Sequence, residues 1–226
     1  MRKLIVIALI SALLPHLNAQ SGYQVSQEIK DFSLSNASNT MNGVGMAVSL
    51  SDYNNVKGYI IVFTSNVCPV SQAYEQRIIA LHKKYAMKGY PVIAINPGRE
   101  NVNPGESFEQ MKLRAKEQNY PFAYLQDTTQ HIAMKFGVTH ITQAVVVQIK
   151  KKRNIIRYIG AIDDNAWEAA QVSTQYVADV VDQLLDGKLP YRKAIPSQGC
   201  EILWKKEFAD ELSAADILPA KKRRRN

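Results

Sequence analysis

Two cysteines carry the most reactive chemistry in this sequence. Cys68 stands between an apolar run at 59–63 and a segment whose apolar residues recur at helical spacing, and Pro69 follows it directly. Because proline is well tolerated in the first turn of a helix, we expect Cys68 at a helix start. Unpaired amide hydrogens and the helix dipole favour the thiolate there, which is the nucleophilic form of cysteine. The sequence therefore predicts a reactive thiol at position 68, open to solvent.

The second cysteine, Cys200, lies in a glycine-preceded, irregular stretch close to the C terminus. In an oxidising compartment, two such cysteines form a structural disulfide, act as a working redox couple, or remain unrelated thiols. The residue types alone leave these three alternatives open.

The N terminus has the layout of a secretory signal peptide. Arg2 and Lys3 precede an apolar run at 4–14, and a short polar stretch then leads to Ala19. The run is shorter than the roughly 20 residues that a membrane-spanning helix needs. We therefore expect cleavage near Ala19, export to the periplasm or the cell exterior, and no stable membrane insertion.

The net charge of +8 does not indicate a nucleic-acid partner. Of the 28 basic residues, two lie in the signal segment and five in the run 221–225, which leaves 21 against 20 acidic residues. A terminal basic run is usually solvated rather than part of a binding face. We therefore predict a signal peptide at 1–19, one domain at 20–204 and a charged, disordered tail at 205–226.

Strand and helix patterns alternate along the domain. Apolar and polar residues alternate at 29–34 and 46–50, on either side of a turn-rich segment, which predicts an N-terminal β-hairpin. The remaining patterns predict strands at 59–63, 91–95, 122–125, 144–148 and 155–159, and helices after Cys68 and at 107–118, 128–136 and 173–185. This alternation predicts an α/β fold with a mixed central sheet flanked by helices, followed by a C-terminal extension.

The other polar clusters predict no metal site. Asp163 and Asp164 are adjacent carboxylates after a predicted strand, where such acids usually cap the following segment. The histidines at 82, 131 and 140 lack the spacing of metal ligands. We therefore expect no metal site. We expect no organic cofactor either, because redox chemistry at a cysteine carries its electrons through sulfur.

Five segments together resemble one protein family. They are YIIVF, TSNVCPVSQAYEQRI, YPFAYLQDTTQHIAMKFGV, GAIDDN and GCEILW, in this order along the chain. The chain is thereby similar to the redoxin branch of the thioredoxin superfamily, which includes the alkyl hydroperoxide reductase and thiol-specific antioxidant proteins. The resemblance implies a thioredoxin-like fold, with Cys68 as the attacking cysteine and Cys200 as a cysteine that resolves the intermediate.

The chain also departs from the patterns of this superfamily. Ser71 stands where thioredoxins carry their second cysteine, so its hydroxyl can contact a thiolate but cannot form a disulfide. Thr142 and Gln143 stand where a cis-proline is expected, and we predict a trans bond because a cis bond before a non-proline residue costs about 3 kcal/mol. Ser65 matches the hydroxyl residue that related peroxidases place before the attacking cysteine, but their upstream proline is missing.

These patterns lead to one main functional hypothesis. The chain is predicted to be a thiol-dependent oxidoreductase that acts by thiol–disulfide exchange or by peroxide reduction, with Cys68 as nucleophile and Cys200 as the resolving residue. Its substrate is a disulfide or a peroxide, and its electrons come from a thiol protein or a small thiol. The alternative is a non-catalytic thioredoxin-like binding module with a structural Cys68–Cys200 disulfide. The residues predicted to support the site are Ser65, Pro69, Ser71, Thr142 and Gln143.

Overall fold

The computed structural model describes residues 22–209. The predicted signal peptide and the basic run at 221–225 lie outside this range. The strands are β1 (Glu28–Ile29), β2 (Ser33–Asn36), β3 (Ala47–Ser49), β4 (Gly58–Phe63), β5 (Val92–Asn96), β6 (Ala123–Gln126), β7 (Ala144–Lys150), β8 (Arg153–Gly160) and β9 (Ala194–Ile195). The α-helices are α1 (Pro69–Tyr85), α2 (Phe108–Glu117), α3 (His131–Lys135) and α4 (Tyr176–Leu185).

The strands of the described residues form one mixed sheet in the order β1-β8-β7-β4-β5-β6-β2-β3, and β9 also pairs with β8. The central strand β4 runs parallel to β5 and antiparallel to β7. All six of its residues are buried, as expected for an uninterrupted apolar and β-branched run. The prediction of an α/β fold with a mixed sheet is confirmed.

The N-terminal strands differ in part from the prediction. The hairpin is present, since β2 and β3 pair antiparallel with Leu34 opposite Val48. The segment 29–34, however, is not one strand: β1 pairs with β8 at one side of the sheet, and β2 pairs with β6 towards the other. Alternating polarity shows that a strand has one buried face, but it carries no information about the sheet edge that the strand joins.

Helix α1 begins directly after Cys68 and packs against the core through Val70, Tyr74 and Ile78. After Tyr85 the chain tightens into a 3₁₀ turn that ends at Gly89, whose φ of 92° lies in the left-handed region. Glycine adopts this conformation without the steric cost that other residues incur, which explains its position at the end of the helix.

Asp163 and Asp164 have different roles. Asp163 is buried and accepts hydrogen bonds from the Tyr74 hydroxyl at 2.8 Å and from Arg77 Nη1 at 2.8 Å, so it ties α1 to the loop after β8. Asp164 accepts hydrogen bonds from two backbone amides, at positions 173 and 174, and so acts as a local cap. Among residues 22–209, no group of three or more histidine, cysteine or acidic side chains is arranged to hold a metal ion.

The chain just after Trp204 packs against the domain. Phe208 is buried, and its ring centre lies 6.2 Å from that of Trp204. The aromatic side chains thus hold the start of the predicted tail against the domain. No helix within the described part of the chain is long and apolar enough to cross a membrane.

Candidate functional site

Cys68 is the residue that precedes the first turn of α1. Its backbone is extended, with φ of −79° and ψ of 118°, while its carbonyl accepts a hydrogen bond from the Gln72 amide at 3.1 Å. Pro69 occupies the first helical turn, where its missing amide hydrogen costs no helical hydrogen bond. The predicted position of Cys68 at a helix start is therefore confirmed.

Cys68 forms a disulfide with Cys200, across a sequence separation of 132 residues and a Cα–Cα distance of 6.0 Å. Of the three alternatives that the sequence left open, two unrelated thiols are thus excluded. Only 2% of Cys68 is exposed, so the expectation of a sulfur open to solvent is wrong for this oxidised form, because the C-terminal segment covers it. Cys200 itself is partly exposed.

Ser65 organises the loop that leads into the helix. Its hydroxyl oxygen accepts hydrogen bonds from the amides of Val67, at 3.2 Å, and Cys68, at 3.1 Å. Its own hydroxyl hydrogen is donated to Glu106. Ser71 is fully buried, and its oxygen accepts a hydrogen bond from the Ser65 amide at 3.2 Å. Both predicted serines thus shape the loop around Cys68.

Glu106 is a residue of this site that the sequence analysis missed. It is 4% exposed and belongs to the turn between β5 and α2. Besides the Ser65 hydroxyl, it accepts hydrogen bonds from the Asn66 amide at 3.2 Å and from Asn96 Nδ2 at 2.7 Å. A carboxylate so close to the helix start opposes the positive potential that favours a thiolate at Cys68.

A buried tyrosine fixes the other side of this loop. The Tyr124 hydroxyl donates a hydrogen bond to Asn66 Oδ1 at 2.8 Å and accepts one from Asn96 Nδ2 at 3.1 Å. Its complete burial raises the pKa of the Tyr124 hydroxyl well above its usual value of 10.0, and the nearby acidic groups raise it further. The phenol therefore stays protonated and remains a hydrogen-bond donor at physiological pH.

Thr142 binds the C-terminal segment, whereas Gln143 binds the central strand β4. The described chain contains no cis peptide bond, which confirms the expected trans bond here. Thr142 Oγ1 donates to the Gln198 carbonyl at 3.0 Å, and the Gln143 carbonyl accepts a hydrogen bond from the Phe63 amide at 2.9 Å. The residue of this loop that contacts Cys200 is instead Ile141, whose amide donates to the Cys200 carbonyl at 2.8 Å.

Gly199 makes the close approach of the C-terminal segment possible. A Cβ atom at this position would lie 1.8 Å from the Ile141 carbonyl oxygen, which no side chain could tolerate. Sterics thus explain why glycine precedes Cys200 in the sequence motif. Cys200 reaches Cys68 because residue 199, without a side chain, can pack directly against the backbone of the loop before β7.

A pocket of about 440 Å³ opens beside the disulfide. Its wall includes both cysteines, Glu106, Ile141 and Arg99. The size suits a small molecule or one extended side chain. Three of these residues, Arg99, Glu106 and Ile141, lie in loops that connect strands and helices. No sequence motif marks any of them, and they come together only in the folded chain.

A thioredoxin-like fold in which a cysteine at the start of the first long helix is disulfide-bonded to a second cysteine in the C-terminal segment defines the class of this protein. The model of the AhpC/TSA family matches residues 25–159, which is more than half of the chain. The chain belongs to this family. The matched region contains Cys68 but ends before Cys200, so the partner cysteine comes from outside it.

Two solved structures agree with this fold. An uncharacterized conserved protein from Geobacillus kaustophilus is 28% identical, with a TM-score of 0.71 over 80% of this chain and 93% of that chain. A hypothetical protein from Sinorhizobium meliloti is 24% identical, with a TM-score of 0.71 over 82% of this chain and 97% of that one. A more distant match, the peroxidoxin BcpB from Mycobacterium tuberculosis, is 14% identical, with a TM-score of 0.47 over 61% and 85%. A comparison with curated proteins gave no match.

Proposed function

We propose that the protein is a thiol–disulfide oxidoreductase whose working couple is Cys68 and Cys200. The observation that carries this proposal is the pairing itself: a cysteine at a helix start is joined to a partly exposed cysteine at the wall of a pocket. Family membership supports thiol-dependent redox chemistry with thiol or disulfide partners.

The reaction begins with the reduced protein. Opening of the chain around Cys200 uncovers the Cys68 thiolate, which attacks one sulfur of a substrate disulfide, forms a mixed disulfide and expels the first substrate thiolate. The Cys200 thiolate then attacks the Cys68 sulfur, forms the Cys68–Cys200 bond and releases the second substrate thiolate. The substrate gains two electrons and the protein loses them. A thiol protein or small thiol restores the reduced form by the reverse exchange.

The structure of the oxidised form favours attack on one particular sulfur during this regeneration. Cys200 is partly exposed at the pocket, whereas Cys68 is buried. An incoming thiolate that bonds to Cys200 expels Cys68 as the leaving thiolate, which the helix start stabilises. Accessibility and leaving-group stability therefore act in the same direction.

The experiment uses the full chain and two single variants. With a disulfide-bonded peptide as substrate, the wild-type protein should turn over, Cys68→Ser should be inactive, and Cys200→Ser should accumulate a mixed disulfide at Cys68 that mass spectrometry detects. We expect the helix start to outweigh the opposing charge of Glu106, so the pKa of Cys68 in the Cys200→Ser variant should lie below the unperturbed value of about 8.5. Turnover by Cys68→Ser, or an unshifted Cys68 pKa, would contradict the proposal.

Peroxide reduction is a second candidate, favoured by the position of the Ser65 hydroxyl next to the Cys68 amide. In this reaction the Cys68 thiolate attacks one peroxide oxygen and the O–O bond breaks. The other oxygen leaves as hydroxide or alkoxide, which takes up a proton from water, and Cys68 becomes a sulfenic acid. Cys200 then condenses with the sulfenic acid, which forms the disulfide and releases water. Trapping of a sulfenic acid in Cys200→Ser treated with hydrogen peroxide would support this candidate, and unchanged peroxide concentrations would remove it.

The burial of Cys68 favours a third candidate, a binding module in which the disulfide is only structural. The reduction potential separates this candidate from the two enzymes, because structural disulfides typically have potentials below about −300 mV. Equilibration with glutathione buffers and with dithiothreitol measures it. A potential above this limit would support the working couple.

Export is part of the proposal, since a disulfide persists in an oxidising compartment. The charged and apolar pattern at residues 2–19 supports it. Mass spectrometry of the protein recovered from fractionated cells should find a mature N terminus near Gln20. An intact N terminus in the cytoplasmic fraction would contradict this part.

A further inference from the structure

The chain around Cys200 is bound to the domain through its backbone as well as through the disulfide. We call residues 198–205 the Cys200 segment. On the N-terminal side, its Gln198 and Cys200 carbonyls accept hydrogen bonds from Thr142 Oγ1 at 3.0 Å and from the Ile141 amide at 2.8 Å. The covalent bond is therefore one attachment among several.

Gln130 provides the attachment on the C-terminal side. Its Nε2 donates hydrogen bonds to the carbonyls of Leu203, at 3.1 Å, and Pro97, at 2.8 Å. Its Oε1 accepts a hydrogen bond from the Lys205 amide at 2.7 Å. The side chain thus contacts the Cys200 segment in the way that a neighbouring strand would, with one donated and one accepted hydrogen bond.

The environment of Gln130 shows that its side chain is highly constrained. The residue is completely buried, and its carboxamide uses both its donors and its acceptor. Its backbone φ of 62° lies in the left-handed region, which is unfavourable for a residue other than glycine or asparagine. A residue keeps such a conformation only when its surroundings stabilise it. At Gln130, the hydrogen bonds with Leu203 and Lys205 contribute to this stabilisation.

Gln130 also connects two sequence motifs that the proposed reaction leaves separate. It belongs to the segment YPFAYLQDTTQHIAMKFGV, while its partners follow directly after Cys200 in GCEILW and Lys205. The reaction explains the cysteine in the second motif but assigns no role to the first. The hydrogen bonds of Gln130 link them physically.

We propose that Gln130 is a positioning residue that keeps Cys200 beside Cys68 after the disulfide has been reduced. This inference rests on the proposed function, because it concerns the reduced state of the same couple. A segment that stays bound holds the two thiols at a high effective concentration, which favours closure of the disulfide. Binding of the segment raises the equilibrium constant for disulfide formation. By thermodynamic linkage, the disulfide raises the equilibrium constant for binding of the segment by the same factor.

The first test measures binding of the segment without the disulfide. In a Cys68→Ser background, Cys200 is a free thiol that is only partly exposed while the segment is bound. Opening of the segment exposes it fully, so a higher rate of its alkylation by iodoacetamide reports more frequent opening. Gln130→Met keeps the length of the side chain but removes both hydrogen bonds to the segment, so alkylation should accelerate about ten- to thirty-fold. Gln171→Met is the matched control: Gln171 is exposed and its side chain donates a hydrogen bond to Glu168, which lies outside the segment, so its replacement should leave the rate unchanged.

Two results of this test would overturn the inference. One is an alkylation rate of Cys200 that Gln130→Met leaves unchanged. The other is alkylation of the Cys68→Ser parent as fast as in the unfolded chain, since the segment would then be unbound without the disulfide.

The second test distinguishes positioning from a general effect on stability. In the protein with both cysteines, Gln130→Met should release the segment in the reduced form, while the disulfide still holds it in the oxidised form. The equilibrium constant for disulfide formation should therefore fall by up to about tenfold, which corresponds to a potential up to about 30 mV less negative. Loss of stability that affects the oxidised and reduced forms equally would leave the potential unchanged, and that result would refute positioning. Failure of the proposed function would have another signature, namely absent turnover of substrate although the segment stays protected.

Arg99 offers a second variant in case Gln130→Met does not fold. Arg99 Nη1 donates a hydrogen bond to the Trp204 carbonyl at 2.9 Å, in the same part of the segment. Because Arg99→Met removes one such bond, alkylation of Cys200 should accelerate about fivefold. An unchanged rate in this variant would count against binding of the segment through residues 203–205.

Discussion

Removing the disulfide should lower the free energy of unfolding by about 5 kcal/mol, and the fold should persist. The bond joins residues that are 132 positions apart, and closing a loop of this length restricts the unfolded chain by about 5 kcal/mol in the chain-entropy model. For a domain of this size, 5 kcal/mol corresponds to a fall in Tm of roughly 10–20 °C. We choose Cys68→Ala with Cys200→Ala, because alanine leaves no unpaired polar group at the buried position.

The folded state should survive this change because the Cys200 segment has other attachments. Its backbone is held by Ile141 and Gln130, and Ile202 and Trp204 are buried against the domain. The loss should therefore arise mainly from the greater freedom of the unfolded chain. Since that chain also exposes more surface, the dependence of the unfolding free energy on urea should become slightly steeper.

Urea unfolding followed by circular dichroism measures this difference. The wild-type protein with and without a reductant and the double variant are compared at one pH. The reduced wild-type protein should match the double variant, and the double variant should not respond to the reductant. A difference below about 1 kcal/mol, with unchanged dependence on urea, would refute the argument from loop closure.

Three further substitutions test other parts of the structure. Glu106→Gln should lower the unfolding free energy by about 1–3 kcal/mol in urea titrations, because its amide cannot accept both the Ser65 hydroxyl and the other donors. Asp163→Asn should cost about 3 kcal/mol in the same assay, since it leaves the partly buried Arg77 without its carboxylate. Burial lowers the pKa of His82 below its usual 6.5, because the folded protein favours the neutral imidazole. The stability that neutral His82 contributes is therefore complete above pH 6.5, and it is lost as the pH falls from 6.5 towards the lower pKa of the folded state. His82→Gln should remove this part of the decline when unfolding is measured between about pH 7.5 and 5.

Exposed positions provide the controls for these variants. Glu109→Gln breaks an exposed ion pair with Lys112, and Lys84→Gln breaks another with Asp182, so each should change stability by less than about 0.5 kcal/mol. Losses at Glu106 or Asp163 no larger than those of the controls would contradict the roles of the buried carboxylates. An acid-induced decline in His82→Gln equal to that of the wild-type protein would contradict the assignment to His82.

The start of the helix at Cys68 was predictable because its signals are local. An apolar strand, a cysteine, a proline and a helical pattern follow one another within about 20 residues. Local order of this kind also predicted the central strand, the hairpin at β7 and β8, and the helix that ends near Gly187. The prediction was wrong for residues 29–34. There β1 pairs with β8 and β2 pairs with β6, and the alternating pattern of the segment does not specify either partner strand.

Patterns within short stretches of the sequence were enough to predict most of the strands and helices and the position of Cys68 at a helix start, since these depend on side chains a few positions apart. The order of the elements along the chain then indicated the class of fold. The bond between Cys200 and Cys68, and the positions of Glu106 beside Cys68 and of Gln130 beside the Cys200 segment, are evident only in the folded chain. Contacts between residues so far apart depend on how the strands are ordered in the sheet. That order results from the packing of the whole core, which no single segment specifies.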